Sequence, residues 1–269
     1  MKNQYKMIFS DIDGTLLNSS HQISQALREE ILRLEREGVL FVLVSARMPE
    51  GMTTIQEMIG NHAPMVCYSG GLIRSAKGES LYSCLMELGQ AVEIKKLLDR
   101  DFPAVCCNTY GYGSWVVDDD KNPWVRQEEQ ITGLKARKGD LRTCFQEMGG
   151  IHKFLLMGEP EEMIRVGDRL RRDYPGLTVA ASTPNYLEVM NGKVSKSAGV
   201  QFLCEKHQIT TEEAIAFGDG HNDMDMLRAV KNSYAMANAP EEVQKSAAHV
   251  TLDNDHEGLL TALLENFPQ

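Results

Sequence analysis

The chain has 269 residues, 42% hydrophobic and 25% charged, a length near the roughly 250–300 residues at which single cores stop growing, so two domains are expected. Its formal charge of -10 disfavours DNA or RNA as a partner, because nucleic-acid affinity comes mainly from Lys and Arg on phosphates. The same charge argues against an anionic membrane surface but not against a small anionic substrate, and no apolar stretch reaches the roughly 18 residues of a membrane span.

The chain starts Met1-Lys2-Asn3-Gln4-Tyr5-Lys6 and enters a short apolar run that meets two Asp within a few residues. That is not the pattern of a secretory leader, and a cytoplasmic protein is expected. The run Lys6-Met7-Ile8-Phe9-Ser10 predicts a strand ending at Asp11. Ser24 then caps a helical pattern with Leu27, Ile31 and Leu34 on one face, closed by Gly38. The β-branched-rich run Val39–Val44 predicts a strand buried on both faces. Pro49 suits the start of a following helix. Another strand, Met65-Val66-Cys67-Tyr68, ends at Ser69-Gly70-Gly71.

This alternation implies a parallel sheet wound by right-handed crossovers. Ligands bind such sheets at the carboxyl ends of the strands. Asp11, Ser45 and Ser69 all fall just past strand ends, so one rim can collect them. The middle of the chain has a different rhythm: a helix near Leu88–Leu98, strands at Ser114–Val117 and Lys153–Met157, and a helix over Glu161–Arg172. A hairpin of Thr178–Ala181 and Tyr186–Met190 follows, turning through Ser182-Thr183-Pro184-Asn185. The βα order then resumes with a helix over Lys196–His207, a capping-box spacing at Thr210 and Glu213, and the strand Ala214–Phe217. The predicted fold class is therefore α/β: a Rossmann-like parallel-sheet core, residues 1–83 and 189–269, with an inserted α+β domain at 84–188.

Six cysteines are present, none in a Cys-x-x-Cys pair, so a thiolate zinc site is not expected. They read as reduced, mostly buried thiols.

Three constellations carry chemistry. Asp11-Ile12-Asp13-Gly14-Thr15 places two carboxylates one residue apart at a strand end. One can attack while the other handles protons, and Gly14 allows close backbone approach. A carboxylate nucleophile suits phosphoryl transfer, because an acyl phosphate splits the reaction into two easier steps. Gly218-Asp219-Gly220-His221-Asn222-Asp223 follows a strand directly. Asp219 and Asp223 offer the hard oxygen ligands that suit Mg²⁺, although a capped turn also explains these residues. Lys196, near a helix start, can neutralise a transferring phosphoryl group, although in isolation a lysine there is more often a solvated charge; Ser45 offers a hydroxyl at the same rim and equally suits a cap for the helix that follows.

These segments, in this order, resemble the haloacid dehalogenase-like hydrolases, and more narrowly the Cof type with a type IIB cap. The likeness extends to the tail, through Met236-Ala237-Asn238-Ala239 and Asp255-His256-Glu257-Gly258. It implies a Mg²⁺-dependent phosphoric monoester hydrolase acting on small phosphorylated metabolites through an aspartyl-phosphate. Asp11 is then nucleophile and metal ligand. Asp13 protonates the leaving group and activates water, and its carbonyl binds the metal. Ser45, Lys196 and Asn222 hold the phosphoryl group. Asp219 completes the metal site, with Asp223 as a ligand or a support for one. Two departures stand out: Ser45-Ala46-Arg47 replaces the usual Thr-Gly-Arg, and Ser69-Gly70-Gly71 replaces Asn-Gly-Ala. The first keeps the hydroxyl; the second loses an amide. Tyr110, Trp115 and Glu188 are candidate cap contacts. A phosphomutase and a catalytically idle phosphate-ligand sensor are the alternatives. No nucleic-acid or membrane partner is expected, and neither the oligomeric state, for which a monomer suffices, nor the substrate is specified.

Overall fold

The computed structural model describes residues 4–268, so Met1, Lys2 and Asn3, on which the leader reading partly rests, lie outside the described residues. The chain divides into two compact units. The first comprises residues 1–47, 52–81 and 195–269; the second comprises Met48–Gly51 and Tyr82–Val194.

The first unit follows the predicted βα alternation. It contains β1 (Met7–Ser10), α1 (Gln25–Arg36), β2 (Leu40–Val44), most of α2 (Pro49–Ile59), β3 (Met65–Cys67), β4 (Leu72–Arg74) and the start of β5 (Ser80–Ser83). Local chemistry explains the starts. Ser24 Oγ accepts from Leu27 N at 3.1 Å, which satisfies one orphan amide of α1. Leu27, Ile31 and Leu34 then bury against the sheet side of that helix, as their spacing requires. Burying each such aliphatic side chain stabilises the fold by about 1.5–3 kcal/mol.

The second unit supplies β6 (Met86–Glu87), α3 (Leu88–Asp101), β7 (Cys106–Gly111), β8 (Ser114–Val117), α4 (Pro123–Thr132), β9 (Arg137–Lys138) and α5 (Leu141–Phe145). It continues with β10 (Gly150–Ile151), β11 (Lys153–Met157), α6 (Pro160–Asp173), β12 (Leu177–Thr183) and β13 (Tyr186–Asn191). The chain then returns to the first unit for α7 (Lys196–Lys206), β14 (Ala214–Gly218), α8 (Met224–Ala229), β15 (Asn232–Ala235), α9 (Glu241–Gln244), β16 (His249–Val250) and α10 (Gly258–Asn266).

The large sheet has the order β16-β15-β14-β1-β2-β3-β4-β5. It is parallel from β16 to β3, and β4 runs antiparallel to β3. The Rossmann-like core is therefore present, with an antiparallel extension at one side. From β1 the chain proceeds outward through β2 and β3; from β14 it proceeds the opposite way through β15 and β16. This reversal is the point where open α/β sheets bind ligands. The register sets Ser10 opposite both Leu43 and Phe217. The residues just beyond these three strands thus emerge at one level of the rim.

The second unit is α+β, the inserted cap of the fold. Its main sheet has the order β12-β13-β11-β7-β8-β9, with only β8 and β9 paired in parallel. Phe154, Leu156, Cys107, Val116, Leu187 and Val189 form one cluster with Ile94 and Leu98 of α3 and Val166 and Leu170 of α6. The predicted hairpin is present but longer than expected. β12 reaches Thr183, with a register shift between Ala181 and Thr183, so the turn shrinks to Pro184-Asn185. Asn185 Nδ2 donates to Gly158 O at 2.9 Å and fastens that turn.

His152 is fully buried beside this sheet. Its Nδ1 accepts from Tyr112 N at 3.0 Å, which leaves Nε2 to donate to Ser83 Oγ at 3.1 Å. Burial pulls the imidazole down from 6.5 to about 4, because the charged ring loses its hydration. The folded pKa is below the unfolded one, so protons bind the unfolded chain first. Stability is full above pH 6.5 and falls as pH drops towards about 4. The shift corresponds to a loss of about 3 kcal/mol. Urea midpoints measured between pH 7 and pH 4.5 should fall in the parent. In His152→Asn, whose amide oxygen can accept from Tyr112 N, this part of the slope should vanish.

All six cysteines are free thiols. Burial pushes Cys106 up to about 11 and Cys107 further, so the adjacent pair is poor in thiolate and chemically quiet. Among the described residues no helix is long and apolar enough to cross a membrane.

Candidate active site

The site grows from the ends of β1 and β14. Asp11 N donates to Phe217 O at 3.0 Å, which extends the β1–β14 ladder by one residue and fixes where the Asp11 side chain begins. Lys196 is the first residue of α7, whose N-cap Ser195 accepts from Ala198 N at 3.1 Å. From there the lysine stem runs inward, and only 1% of the residue is exposed. Its Nζ donates to Asp11 Oδ1 at 2.5 Å and to Asp223 Oδ1 at 2.5 Å.

Asp219 and Asp223 meet Asp11 as well. One carboxylate oxygen from each of the three lies within 4.8 Å of the others. The segment is not yet helix there: a 3₁₀ turn covers His221–Asp223, and α8 starts at Met224. That turn lets Asp223 fold back. Its Oδ2 accepts from Asp219 N at 3.1 Å and Gly220 N at 2.8 Å. Both oxygens of Asp223 are therefore occupied by donors, and the residue organises the turn and Lys196 together.

Gly14 has φ +77°, and a Cβ there would sit 2.3 Å from Asp219 Oδ2. Only glycine allows both the left-handed backbone and this approach. Thr15 Oγ1 donates to Asp219 Oδ1 at 2.7 Å. Asn238 Nδ2 donates to Gly14 O at 2.9 Å and lies 3.4 Å from Asp219 Oδ2. Asp219 is thus aimed by residues from two separate loops.

Three carboxylates face one ammonium, so negative charge is in surplus. Burial, with this surplus added, shows in the proton affinities of Asp11 and Asp219. Burial pushes Asp11 up to about 8, with Lys196 pulling against it and Asp223 adding to it. Burial likewise lifts Asp219 to about 6, opposed by the Thr15 hydroxyl. For Lys196, burial favours the neutral amine, but Asp11 and Asp223 outweigh it and hold the ammonium well above its ordinary range. Clustered, partly desolvated carboxylates of hard oxygen character are what a small divalent cation neutralises. The residues present fit Mg²⁺.

The other sequence-predicted residues are placed as follows. Ser45 is buried one residue past β2; its N donates to Val66 O at 2.9 Å, and its carbonyl accepts from Ser69 N at 2.8 Å. Asn222 is exposed in the 3₁₀ turn. Asp13 is more exposed than Asp11, and its charge adds to the lift on Asp219. The two oxygens of Asp13 are gripped by Arg47, from Nε at 3.0 Å and Nη2 at 2.6 Å. Ser69 is buried in a turn with Tyr68 at φ 50° and Ser69 at φ 54°, conformations that cost energy for residues with a Cβ. Of the candidate cap contacts, Tyr110 stacks on Trp115 at 5.4 Å between ring centres. Glu188 pairs with Lys153 at 3.2 Å. The aromatics belong to the packing of the second unit.

Arg47, Asn238 and Thr15 had no individual role in the sequence reading. Arg47 had a signal: it follows Ser45 by two residues, past the end of β2. A forked guanidinium on a carboxylate fixes its plane, which a lysine cannot do. Arg47→Lys should therefore lower turnover by about tenfold, with KM nearly unchanged, because Asp13 loses its orientation. Steady-state kinetics of that variant checks it.

The chain is similar to known proteins over nearly its whole length. A family model described as haloacid dehalogenase-like hydrolase matches residues 8–263. A Haemophilus influenzae protein that bears the provisional name of a phosphatase is 36% identical over 267 residues, covering 98% of this chain and 99% of the relative. Phosphatase YwpJ of Bacillus subtilis is 25% identical over 276 residues, covering 94% of this chain and 97% of its own. The crystal structure of a haloacid dehalogenase-like hydrolase from Bacteroides thetaiotaomicron superposes with a TM-score of 0.89 at 29% identity, covering 98% of this chain and 100% of that one. With its parallel core, its inserted cap and its carboxylate–lysine centre, the chain belongs to the haloacid dehalogenase-like hydrolases, of the Cof type.

Proposed function

We propose that the chain is a Mg²⁺-dependent phosphatase that hydrolyses small phosphorylated metabolites through an aspartyl-phosphate on Asp11. The observation that carries this is the contact of Lys196 Nζ with Asp11 Oδ1 at 2.5 Å, buried and within reach of Asp219. A carboxylate so held has a fixed direction of attack and a fixed counter-charge.

Asp11, Asp219 and the carbonyl of Asp13 would hold the ion, with Asp223 as a ligand or as a support for the others. When bound, Mg²⁺ offsets the repulsion between the carboxylate and the phosphate oxygens. Asp11 attacks phosphorus in line with the departing oxygen. Asp13 gives that oxygen a proton, then takes one from the water that releases phosphate. Lys196, Ser45 and Asn222 hold the phosphoryl oxygens by charge and hydrogen bonding. This division of labour, positioning plus electrostatics, is what phosphoryl transfer requires.

The inserted second unit would serve as the cap that excludes water and selects the leaving group. The relatives' names support phosphatase activity and leave the leaving group open; sugar phosphates and similar phosphomonoesters suit a small acidic protein of this type. Six free thiols suit a reducing compartment such as the cytoplasm.

The test is turnover of p-nitrophenyl phosphate by the full chain, with and without Mg²⁺, followed by a panel of phosphorylated metabolites. Turnover that EDTA removes and Mg²⁺ restores is expected. Binding of phosphorylated ligands with no release of phosphate would rule the reading out. An isomeric product in place of free phosphate would convert it to a mutase.

A further inference from the structure

The first turn of a helix leaves its amides without intrahelical partners. In α7, which begins with Lys196, Ser195 Oγ takes the Ala198 amide. The Ser197 amide is met from another element: it donates to Asp225 Oδ2 at 2.8 Å. Asp225 lies in the first turn of α8, two residues after Asp223. Two carboxylates of one segment therefore grip adjacent residues of α7. Asp223 takes the Lys196 ammonium, and Asp225 takes the Ser197 backbone.

The start of α7 also packs against β3 and the turn after it. A Cβ on Gly70 would lie 2.1 Å from Ser195 O, and one on Gly199 would lie 2.5 Å from Val66 Cγ1. The start of α7 is thus confined by close packing against β3 and its following turn and by the Asp225 bond. A charge-assisted bond to a helix amide is stronger and shorter than a neutral one. It also places negative charge where the helix dipole favours it.

We propose that Asp225 is a positioning residue for the reaction: by anchoring the Ser197 amide it sets where the Lys196 backbone begins, and hence where its ammonium meets Asp11. The inference rests on the reading of Asp11 and Lys196 as the reacting pair. Asp225 acts through the Ser197 backbone amide. Displacing a catalytic group by about 1 Å costs on the order of 100-fold in rate.

The experiment compares Asp225→Ala and Asp225→Asn in the full chain. With p-nitrophenyl phosphate, Asp225→Ala should lower kcat by about 10–100-fold while KM moves less than about threefold. Asp225→Asn keeps an oxygen that accepts the same bond and should return kcat to within about threefold of the parent. The ¹H–¹⁵N signal of the Lys196 ammonium, recorded in metal-free protein, should shift in Asp225→Ala and return in Asp225→Asn. A residue needed only for stability would lower Tm and leave that signal, and kcat per folded molecule, unchanged. That outcome, or an Asp225→Ala kcat within about twofold of the parent, overturns the proposal. If Asp225→Ala does not fold, Asp225→Ser, too short to reach the amide, takes its place with the same expectations. A parent that turns over no phosphate ester defeats the phosphatase reading, and the Lys196 signal still decides the positioning.

Discussion

Asp11→Asn should abolish phosphate-ester turnover, by about 10⁴-fold or more, and leave the fold intact. The amide has nearly the shape of the carboxylate but no nucleophilic charge. Stability should survive because burial already disfavours charge at this position: it lifts Asp11 to about 8, and a neutral side chain avoids that desolvation. Lys196 keeps its second partner, Asp223, at 2.5 Å, so no buried ammonium is stranded. Circular dichroism and a Tm within a few degrees of the parent, about 1 kcal/mol or less, should accompany the lost activity. Turnover persisting in this variant would sink the nucleophile assignment.

Lys196→Met should behave differently, with both activity and stability falling. Methionine fills much of the same volume, so cavity formation contributes little. What changes is charge. Asp11, Asp219 and Asp223 then face one another with no ammonium among them. Removing one partner of a buried ion pair costs about 3–5 kcal/mol, and the losing side here holds three carboxylates. Loss of a fixed cation at the developing phosphoryl charge should also lower kcat by about 10²–10³-fold. Urea denaturation without metal should show the full destabilisation, and added Mg²⁺ should recover part of it by supplying the missing positive charge. Equal unfolding midpoints for parent and variant would show that Lys196 does not offset this cluster.

The contrast between these two variants explains how far sequence could reach. Asp11, Asp219 and Lys196 were legible because each lies at the end of a pattern with a period. An apolar run stops at Asp11, another stops one residue before Gly218-Asp219, and a helical pattern opens at Lys196. Parallel pairing then brings strand ends together whatever their distance in sequence. The core sheet was legible for the same reason. β7 was not, because Cys106–Gly111 is buried on both faces and its mixed sequence, Cys-Cys-Asn-Thr-Tyr-Gly, shows neither alternation nor a β-branched run. The hairpin turn was drawn too wide, since a register shift lets β12 run on to Thr183.

The bonds that aim the side chains were the least legible. Arg47 on Asp13, Thr15 and Asn238 around Asp219, and Asp225 on the Ser197 amide all join residues whose spacing in the chain carries no period. Asp13 shows the point well. Its place beside Asp11 suggested that both carboxylates converge on one volume. In the structure Arg47 holds both of its oxygens, a partner that the motif's spacing does not disclose, while Asp219, just past β14, stands against Gly14. The departures at Ala46, Ser69 and Gly71 leave the backbone frame standing, with Ser69 N still bonded to Ser45 O.

The most direct test of the account is to catch the covalent intermediate. The full chain with Mg²⁺ is mixed with an excess of p-nitrophenyl phosphate, quenched in acid within one turnover, and reduced with borohydride. Peptide mass spectrometry should find homoserine at position 11 and nowhere else, and none in Asp11→Asn. Rapid turnover with position 11 unreduced, or reduction at Asp13, Asp219 or Asp223 instead, would contradict the account.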